Sequence, residues 1–230
     1  MKLAGSKLIR WAGLSAMVAG IFYVIVGLFH QPNVLSSVTT TSWAIVHVLA
    51  TAMGFLGILG MAGLYARQAE KSGWLGLAGF VLLSLWFALI LGFSFVEAFI
   101  LPTLATAAPK FVEGFLGILN STASEINLGV LPMIWLLTAP LYILGGLLFG
   151  IATFRAGILP RWAGALLAIG TVLGPLLAAL LSLELQPKVA IPTGIALAWL
   201  GYALWSERRE QASQPVPDSS KAQVIPTAIK

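Results

Sequence analysis

The sequence predicts an all-α fold: a polytopic membrane protein built as a bundle of six transmembrane helices, with the N and C termini in the cytoplasm. Composition is the first observation behind this prediction. The 230 residues are 59% hydrophobic and only 9% charged, whereas about a quarter of a soluble domain is charged. So few polar residues cannot cover a surface in water, and we therefore expect lipid around most of the chain.

The lengths of the apolar stretches are the second observation. Most of them exceed the roughly 20 residues with which a helix crosses the hydrocarbon core. Because backbone groups in lipid must pair within the protein, each stretch is expected to be helical. The six predicted spans are Leu8–Phe29, Ser42–Ala66, Trp74–Leu101, Leu128–Phe154, Trp162–Leu183 and Val189–Trp205.

The first and last spans need separate justification. Lys2 and Lys7 resemble the start of a signal peptide, but the apolar core that follows is too long and no small-residue cleavage site comes after it. We interpret this stretch as an uncleaved span. The sixth span is the weakest, because Pro192 shortens its regular part. Residues 207–230 have few large apolar side chains and are predicted to form a disordered cytoplasmic tail after the transmembrane domain, residues 1–206.

One connection, residues 103–126, is longer than the others. Within it Phe111, Phe115, Ile118 and Leu119 fall at helical spacing. This pattern predicts a short helix lying on the outer membrane surface. A loop with a few apolar residues is the alternative.

Lysine and arginine determine the predicted orientation, since cytoplasmic loops carry an excess of both. The side assigned to the periplasm holds only Lys110 and Lys188. An even number of spans also requires both termini on one side, so the two arguments agree. The eleven residues assigned to the cytoplasm are Lys2, Lys7, Arg10, Arg67, Lys71, Arg155, Arg161, Arg208, Arg209, Lys221 and Lys230.

A short pattern recurs where spans one, three and five begin: RWAG at Arg10–Gly13 and Arg161–Gly164, and GWLG at Gly73–Gly76. Tryptophan is favoured at the membrane interface, and glycine lets a neighbouring helix approach closely. A triplicated helical hairpin is the alternative explanation. The GxxxG pair Gly146 and Gly150 predicts a further close contact, either within the bundle or in a homo-oligomer.

Three ionisable residues form a candidate binding pocket: His47 in span two, Glu97 in span three and Glu184 at the end of span five. Such groups are costly inside a membrane, so a functional site is the default hypothesis. Counted from the cytoplasmic ends at about 1.5 Å per residue, all three reach the outer third of the membrane or its boundary. Three further polar residues border the same level: His30, Glu125 and Asn127.

His47 and Glu97 lie on sequential antiparallel helices, so they are expected to be neighbours. If the two side chains face each other, they could bind a cation, relay a proton or hold a polar headgroup. The alternative is that Glu97 and Glu184 reach interfacial water while His47 bonds a neighbouring helix.

Several chemistries are excluded by what the chain lacks. Without cysteine there is no disulfide or thiolate site, and two histidines cannot form a three-histidine zinc site. A two-histidine, one-carboxylate site or a bis-histidine haem is only formally conceivable. No span contains a lysine for a Schiff base, and the basic residues form no patch for nucleic acid. The sequence therefore predicts no catalytic residue, no metal and no cofactor.

The chain resembles uncharacterised six-span bacterial integral membrane proteins of the domain-of-unknown-function type. The resemblance is carried by HVLATAMGFLGILGMAGLYARQ (His47–Gln68), VEAFILPTLA (Val96–Ala105) and GILPRWAGALL (Gly157–Leu167). It implies a six-helix fold and a bacterial plasma membrane, and it implies no activity.

Three classes of function follow from these observations. The first is a small protein that binds or transports a solute or ion through an outward-facing polar pocket around His47 and Glu97. The second is a membrane-embedded structural or interaction subunit without chemistry of its own. The third, an intramembrane enzyme, is disfavoured because no nucleophile–base pair or metal set is visible. A cavity shared by His47 and Glu97 would favour the first class.

Overall fold

The computed structural model describes the backbone of residues 2–122, 124–178, 180–182 and 185–213, and the side chains of residues 7–206 with the same gaps. Every regular element in these ranges is helical, which confirms the all-α class. A π-helical turn, Val96–Ile100, and a 3₁₀ turn, Gln186–Ala190, join some of the helices. The α-helices are α1 (Lys2–Phe29), α2 (Leu35–Val38), α3 (Thr41–Phe95), α4 (Leu101–Ala107), α5 (Pro109–Leu119), α6 (Leu131–Ala156), α7 (Arg161–Ala178) and α8 (Ile191–Ser213).

Five helical segments within the described ranges are long and apolar enough to cross a membrane, judged by length and composition. They are Lys7–Phe29, Thr41–Ala107, Leu131–Ala156, Arg161–Ala178 and Gln186–Ser206. The second segment has 67 residues, and as a straight helix it would measure about 100 Å. The hydrocarbon core is only about 30 Å thick. This segment therefore does not form a single straight helix.

Gly73 divides α3 into a first arm, residues 41–72, and a second arm, residues 74–95. Its backbone angles are φ +54° and ψ −152°, a combination that is almost restricted to glycine. The two arms fold back against each other, so that the rings of Tyr65 and Phe80 stack with their centroids 4.9 Å apart. The connection predicted between spans two and three is thus reduced to a single non-helical residue.

The long segments form a closed ring. The order around it is α1, the first arm, the second arm, α6, α7 and α8, and α8 packs along α1 to complete the circuit. Neighbours in the ring are antiparallel, and the Arg10 guanidinium lies 5.7 Å from the centre of the Trp205 ring. The described parts of both chain ends therefore lie at one end of the bundle, here named the terminal end. The opposite end is named the α5 end.

Glycines bring neighbouring backbones into direct contact around this ring. A Cβ added to Gly150 of α6 would lie 2.5 Å from the carbonyl oxygen of Gly164 in α7, and one added to Gly164 would lie 2.8 Å from the carbonyl oxygen of Gly150. Gly146 packs in the same way against Thr171 of α7. The close helix contact predicted for Gly146 and Gly150 is confirmed, and it lies within one chain.

The recurring Trp–Gly pattern marks helix starts at the terminal end. Gly13 approaches the backbone of α8 and Gly164 that of α6, whereas Gly76 faces Ser72 in its own turn. The three glycines thus do not repeat one packing contact. The tryptophans of the pattern are all exposed, as an interfacial position requires: Trp11, Trp74 and Trp162.

Prolines explain where two helices begin. α6 begins at Leu131, later than the predicted Leu128, and Pro132 lies in its first turn. α8 begins at Ile191, with Pro192 as its second residue. An N–H at that position has no partner within the helix, so its loss does no harm. This proline therefore starts the last helix and does not shorten it, contrary to the sequence-based expectation.

The ends of α7 and α8 also differ from the predicted limits. α7 ends at Ala178, before the predicted limit at Leu183, which lies outside the described residues. The backbone of α8 stays helical to Ser213, so the segment predicted as a tail, residues 207–230, begins inside this helix. Residues 214–230 lie outside the described ranges.

The long connection between the second arm and α6 contains a helix, α5, as the spacing of its apolar residues predicts. Its Val112, Phe115 and Leu116 are no more than 2% exposed. They pack with Trp43 and Phe93 in an apolar cluster separate from the main core. The apolar face of α5 is therefore buried against the bundle, and α5 covers the end that is named after it.

We expect Gly150→Ala to lower the free energy of unfolding by about 1–3 kcal/mol, because the added methyl group forces α6 and α7 apart. Gly92→Ala is the matched control, since a Cβ added there meets nothing within 4 Å. Thermal unfolding in detergent measures both. If Gly150→Ala melts no lower than Gly92→Ala, then α6 and α7 do not pack in this way.

Candidate functional site

Glu97 lies in the π-helical turn, and the neighbouring sequence explains why its carbonyl is free. The N–H of Leu101 donates to the carbonyl of Val96, five residues back, and so is not available to Glu97. A continued π-helix would use the next N–H, but residue 102 is proline and has none. The carbonyl of Glu97 thus lacks the donor that either helical pattern would supply. Turns of this kind are frequent at functional sites.

Trp43 supplies the missing donor. Its indole Nε1–H donates to the carbonyl oxygen of Glu97 at 2.9 Å, in a buried position. Trp43 lies in the first turn of α3, where the backbone N–H of Trp43 donates to the side-chain oxygen of Thr40 at 3.2 Å. Thr40 is therefore the N-cap of α3. The capped turn and the π-helical turn are held together by the tryptophan.

His47 and Glu97 meet, as their positions on sequential helices predict. The Nε2 atom of His47 lies 3.3 Å from Oε1 of Glu97, and the two side chains are 1% and 8% exposed. On the other side of the ring, Nδ1 of His47 lies 2.8 Å from the carbonyl oxygen of Trp43. A carbonyl only accepts hydrogen bonds, so Nδ1 carries a proton and donates to it.

The tautomer of His47 has a consequence for the space beside it. With the proton on Nδ1, a neutral His47 turns the lone pair of Nε2 towards the carboxylate of Glu97. Two acceptors that face each other in a buried place are unfavourable. They become compatible when a proton lies between them or when a cation lies beside the carboxylate. Nε2 makes no hydrogen bond to any residue that the structure describes.

A cavity of about 200 Å³ opens beside this pair at the α5 end. Faces of three helical segments converge on it, and Leu119 of α5 and Trp135 of α6 complete its lining. Five polar residues line it: His30, Asn33, His47, Ser94 and Glu97. Four of the nine other lining residues are aromatic: Tyr23, Trp86, Phe93 and Trp135.

Helical periodicity explains why these residues share the cavity. In the second arm and the π-helical turn, Trp86, Ile90, Phe93 and Glu97 follow each other at steps of three or four residues, and Ser94 lies three residues before Glu97. Such residues lie on one face of a helix. One continuous stripe thus turns from aromatic, near the middle of the bundle, to acidic at the α5 end.

The loop after α1 adds polar groups to the cavity. The ring of His30 meets that of His47 edge-on, with their centroids 5.1 Å apart. Burial lowers the pKa of His30 from its ordinary value; the neighbouring His47 also lowers it, while Glu97 raises it. The side-chain oxygen of Asn33 is buried without a hydrogen-bond partner among the described residues. Asn120, just after α5, donates to the carbonyl of Asn33 at 2.8 Å and ties α5 to this loop.

Glu125 and Asn127 are not among the residues that line the cavity. Glu184 lies outside the described residues, so its place in the predicted pocket stays a prediction. Glu125 is exposed and lies 3.6 Å from the ammonium of Lys110. Asn127 accepts a hydrogen bond from the backbone of Gly129 in the turn before α6. Within the described part of the chain, no group of three or more His, Cys, Asp or Glu side chains is placed to hold a metal ion.

Sequence reasoning missed most of the cavity lining. Trp86, Phe93 and Trp135 look like ordinary apolar core residues, and nothing in the sequence separates them from the other aromatics. Asn33 lies in a loop without periodicity, so no pattern relates it to His47. One available signal was Pro102, which follows Glu97 closely enough to disturb the helix at that residue.

A double-mutant cycle with His47→Gln and Glu97→Gln should give a coupling on the order of 1 kcal/mol, because the two buried side chains interact directly. Thermal unfolding of the four proteins in detergent measures it. Lys110→Ala with Glu125→Gln is the matched control, for which we expect no measurable coupling because this ion pair is exposed. Additive effects of the His47 and Glu97 substitutions would show that the two side chains do not interact.

Comparison of the chain with models of protein families, with curated proteins and with solved structures found no match. Function is therefore inferred from the geometry and chemistry of the site.

Proposed function

We propose that this protein is a six-span integral membrane protein of a bacterial plasma membrane that binds a small polar solute or ion in the cavity beside His47 and Glu97. The observation that carries the proposal is the buried pair of His47 and Glu97, with Nε2 3.3 Å from Oε1, beside a cavity of about 200 Å³ that both residues line. A buried ionisable pair in a membrane helix is costly unless function retains it.

The proposed topology has six crossings. Four follow from α1, α6, α7 and α8, and the two arms on either side of Gly73 supply the other two, since each is longer than the roughly 20 residues of one crossing. The excess of lysine and arginine at the terminal end supports a cytoplasmic location for that end. The cavity then opens towards the outside. Kinship with the uncharacterised six-span bacterial proteins that the sequence resembles is part of this proposal.

The cavity favours solute binding over a purely structural role. A structural subunit gains stability from a filled core, because a void loses packing contacts on every side. Here polar atoms border the space, and a polar cavity of this size can hold water or a solute. If the solute enters and leaves the cavity on the same side of the membrane, the protein is a binding protein. If the solute is released on the opposite side, the protein is a transporter.

Reporter fusions test the topology. Alkaline phosphatase is active only outside the cytoplasm, so we expect activity when it is fused after Thr122, in the connection at the α5 end, and none when it is fused after Trp205. Western blots of the two fusions control for expression. Phosphatase activity of the fusion after Trp205 would contradict the proposed orientation.

Thiol labelling tests whether the cavity opens to the outside, because the chain contains no cysteine and any label reports the one introduced. We expect Ser94→Cys, in the cavity wall, to react with a small membrane-impermeant cationic methanethiosulfonate added to intact cells. Thr171→Cys is the control, since Thr171 is 0% exposed between helices. Reaction of Ser94→Cys only after the membrane is permeabilised would exclude an outward-facing pocket.

A further inference from the structure

We propose that the solute of this pocket is a small organic ammonium ion: a protonated amine with a short apolar chain. This inference rests on the proposed function and names the chemical class of its solute. It follows from the donors and acceptors at the polar end of the cavity, from its aromatic walls and from its volume.

The polar end of the cavity is suited to a cation that donates hydrogen bonds. Glu97 and His47 both line the cavity, and Oε1 of Glu97 lies 3.3 Å from Nε2 of His47. An ammonium group carries three N–H donors and no acceptor, so it can donate to the carboxylate of Glu97 and neutralise it. Ser94 and Asn33 are the uncharged polar residues of the same lining.

In the described cavity wall His47 is paired with Glu97, and no lysine or arginine competes for the carboxylate. The titratable residues that line it are Tyr23, His30, His47 and Glu97, and neither lysine nor arginine is among them. Burial lowers the pKa of His30, so this ring is neutral at neutral pH. His47 already uses its Nδ1 proton for the carbonyl of Trp43. The carboxylate is thus left to a proton or to a bound cation.

The walls suit an organic cation better than a metal ion. Trp86 and Phe93 present their rings to the cavity, and Trp135 meets the edge of Phe93 with the ring centroids 5.0 Å apart. Aromatic faces attract ammonium groups and pack against alkyl chains. A metal ion would need several oxygen or nitrogen ligands in place of its hydration shell, and aromatic carbon provides none.

The volume limits the size of the solute. At about 30 Å³ for each water-sized group, a cavity of about 200 Å³ holds roughly seven non-hydrogen atoms. A butylammonium ion has five. Its ammonium group can lie beside the carboxylate of Glu97 while its chain extends along the stripe towards Trp86.

Binding of n-butylammonium to the purified full-length protein tests the inference, with 1-butanol as a neutral probe of the same size and sodium chloride at the same ionic strength. We expect a saturable rise in the melting temperature with butylammonium only, because a ligand that binds the folded state stabilises it. The Kd should rise at least tenfold in Glu97→Gln. It should stay unchanged in Glu125→Gln, which removes an exposed carboxylate at the same end of the bundle.

Protection of Ser94→Cys from the thiol reagent gives a second readout that does not depend on the folding of the Glu97 variant. Butylammonium should slow labelling, and 1-butanol should not. Equal protection by 1-butanol, an equal shift with sodium chloride, or an unchanged Kd in Glu97→Gln would each overturn the ammonium assignment. In those cases labelling of Ser94→Cys from outside would still support the proposed pocket, whereas its failure to react would reject the pocket itself.

Discussion

The candidate site depends on Trp43, because this one residue forms hydrogen bonds with both His47 and Glu97. Its indole N–H satisfies the carbonyl of Glu97 at 2.9 Å, and its own carbonyl accepts from Nδ1 of His47 at 2.8 Å. The first contact fixes the π-helical turn, and the second selects the tautomer of the histidine. Trp43 is itself fully buried and anchored by the N-cap at Thr40. The His47–Glu97 pair is thus held by backbone groups and needs no other charged residue to position it.

The antiparallel arms of α3 bring these residues together across more than fifty positions of sequence. Gly73 permits the reversal, and close packing along the arms keeps them in register up to the α5 end. Gly54 and Gly57 pack against Leu91 and Phe87, so the arms stay in close contact at this level. The cavity lies on the neighbouring face of the second arm, which carries Trp86 and Phe93.

Much of the fold could be predicted, because length and hydropathy are strong signals in a membrane. The helical class, the approximate segments, the contact of Gly146 and Gly150 and the meeting of His47 with Glu97 all follow from periodicity and helical rise. The errors concern helix ends. Pro132 lies in the first turn of a helix that hydropathy alone predicts to begin earlier. Pro192 begins a helix that it was expected to shorten. The lining of the site was largely unpredictable, since an aromatic residue at a cavity and one in a filled core have the same pattern.

The sequence by itself determined that the chain is helical and apolar and that the few ionisable groups within its predicted spans lie near one end of the bundle. These properties are local: they depend on composition, on the step of a helix and on the cost of a charge in lipid. Only the tertiary structure decided that Asn33, Ser94 and four aromatic rings share a cavity with His47 and Glu97. It also decided which nitrogen of His47 is free. These facts depend on which faces of distant helices meet, and no local pattern of residues encodes that choice.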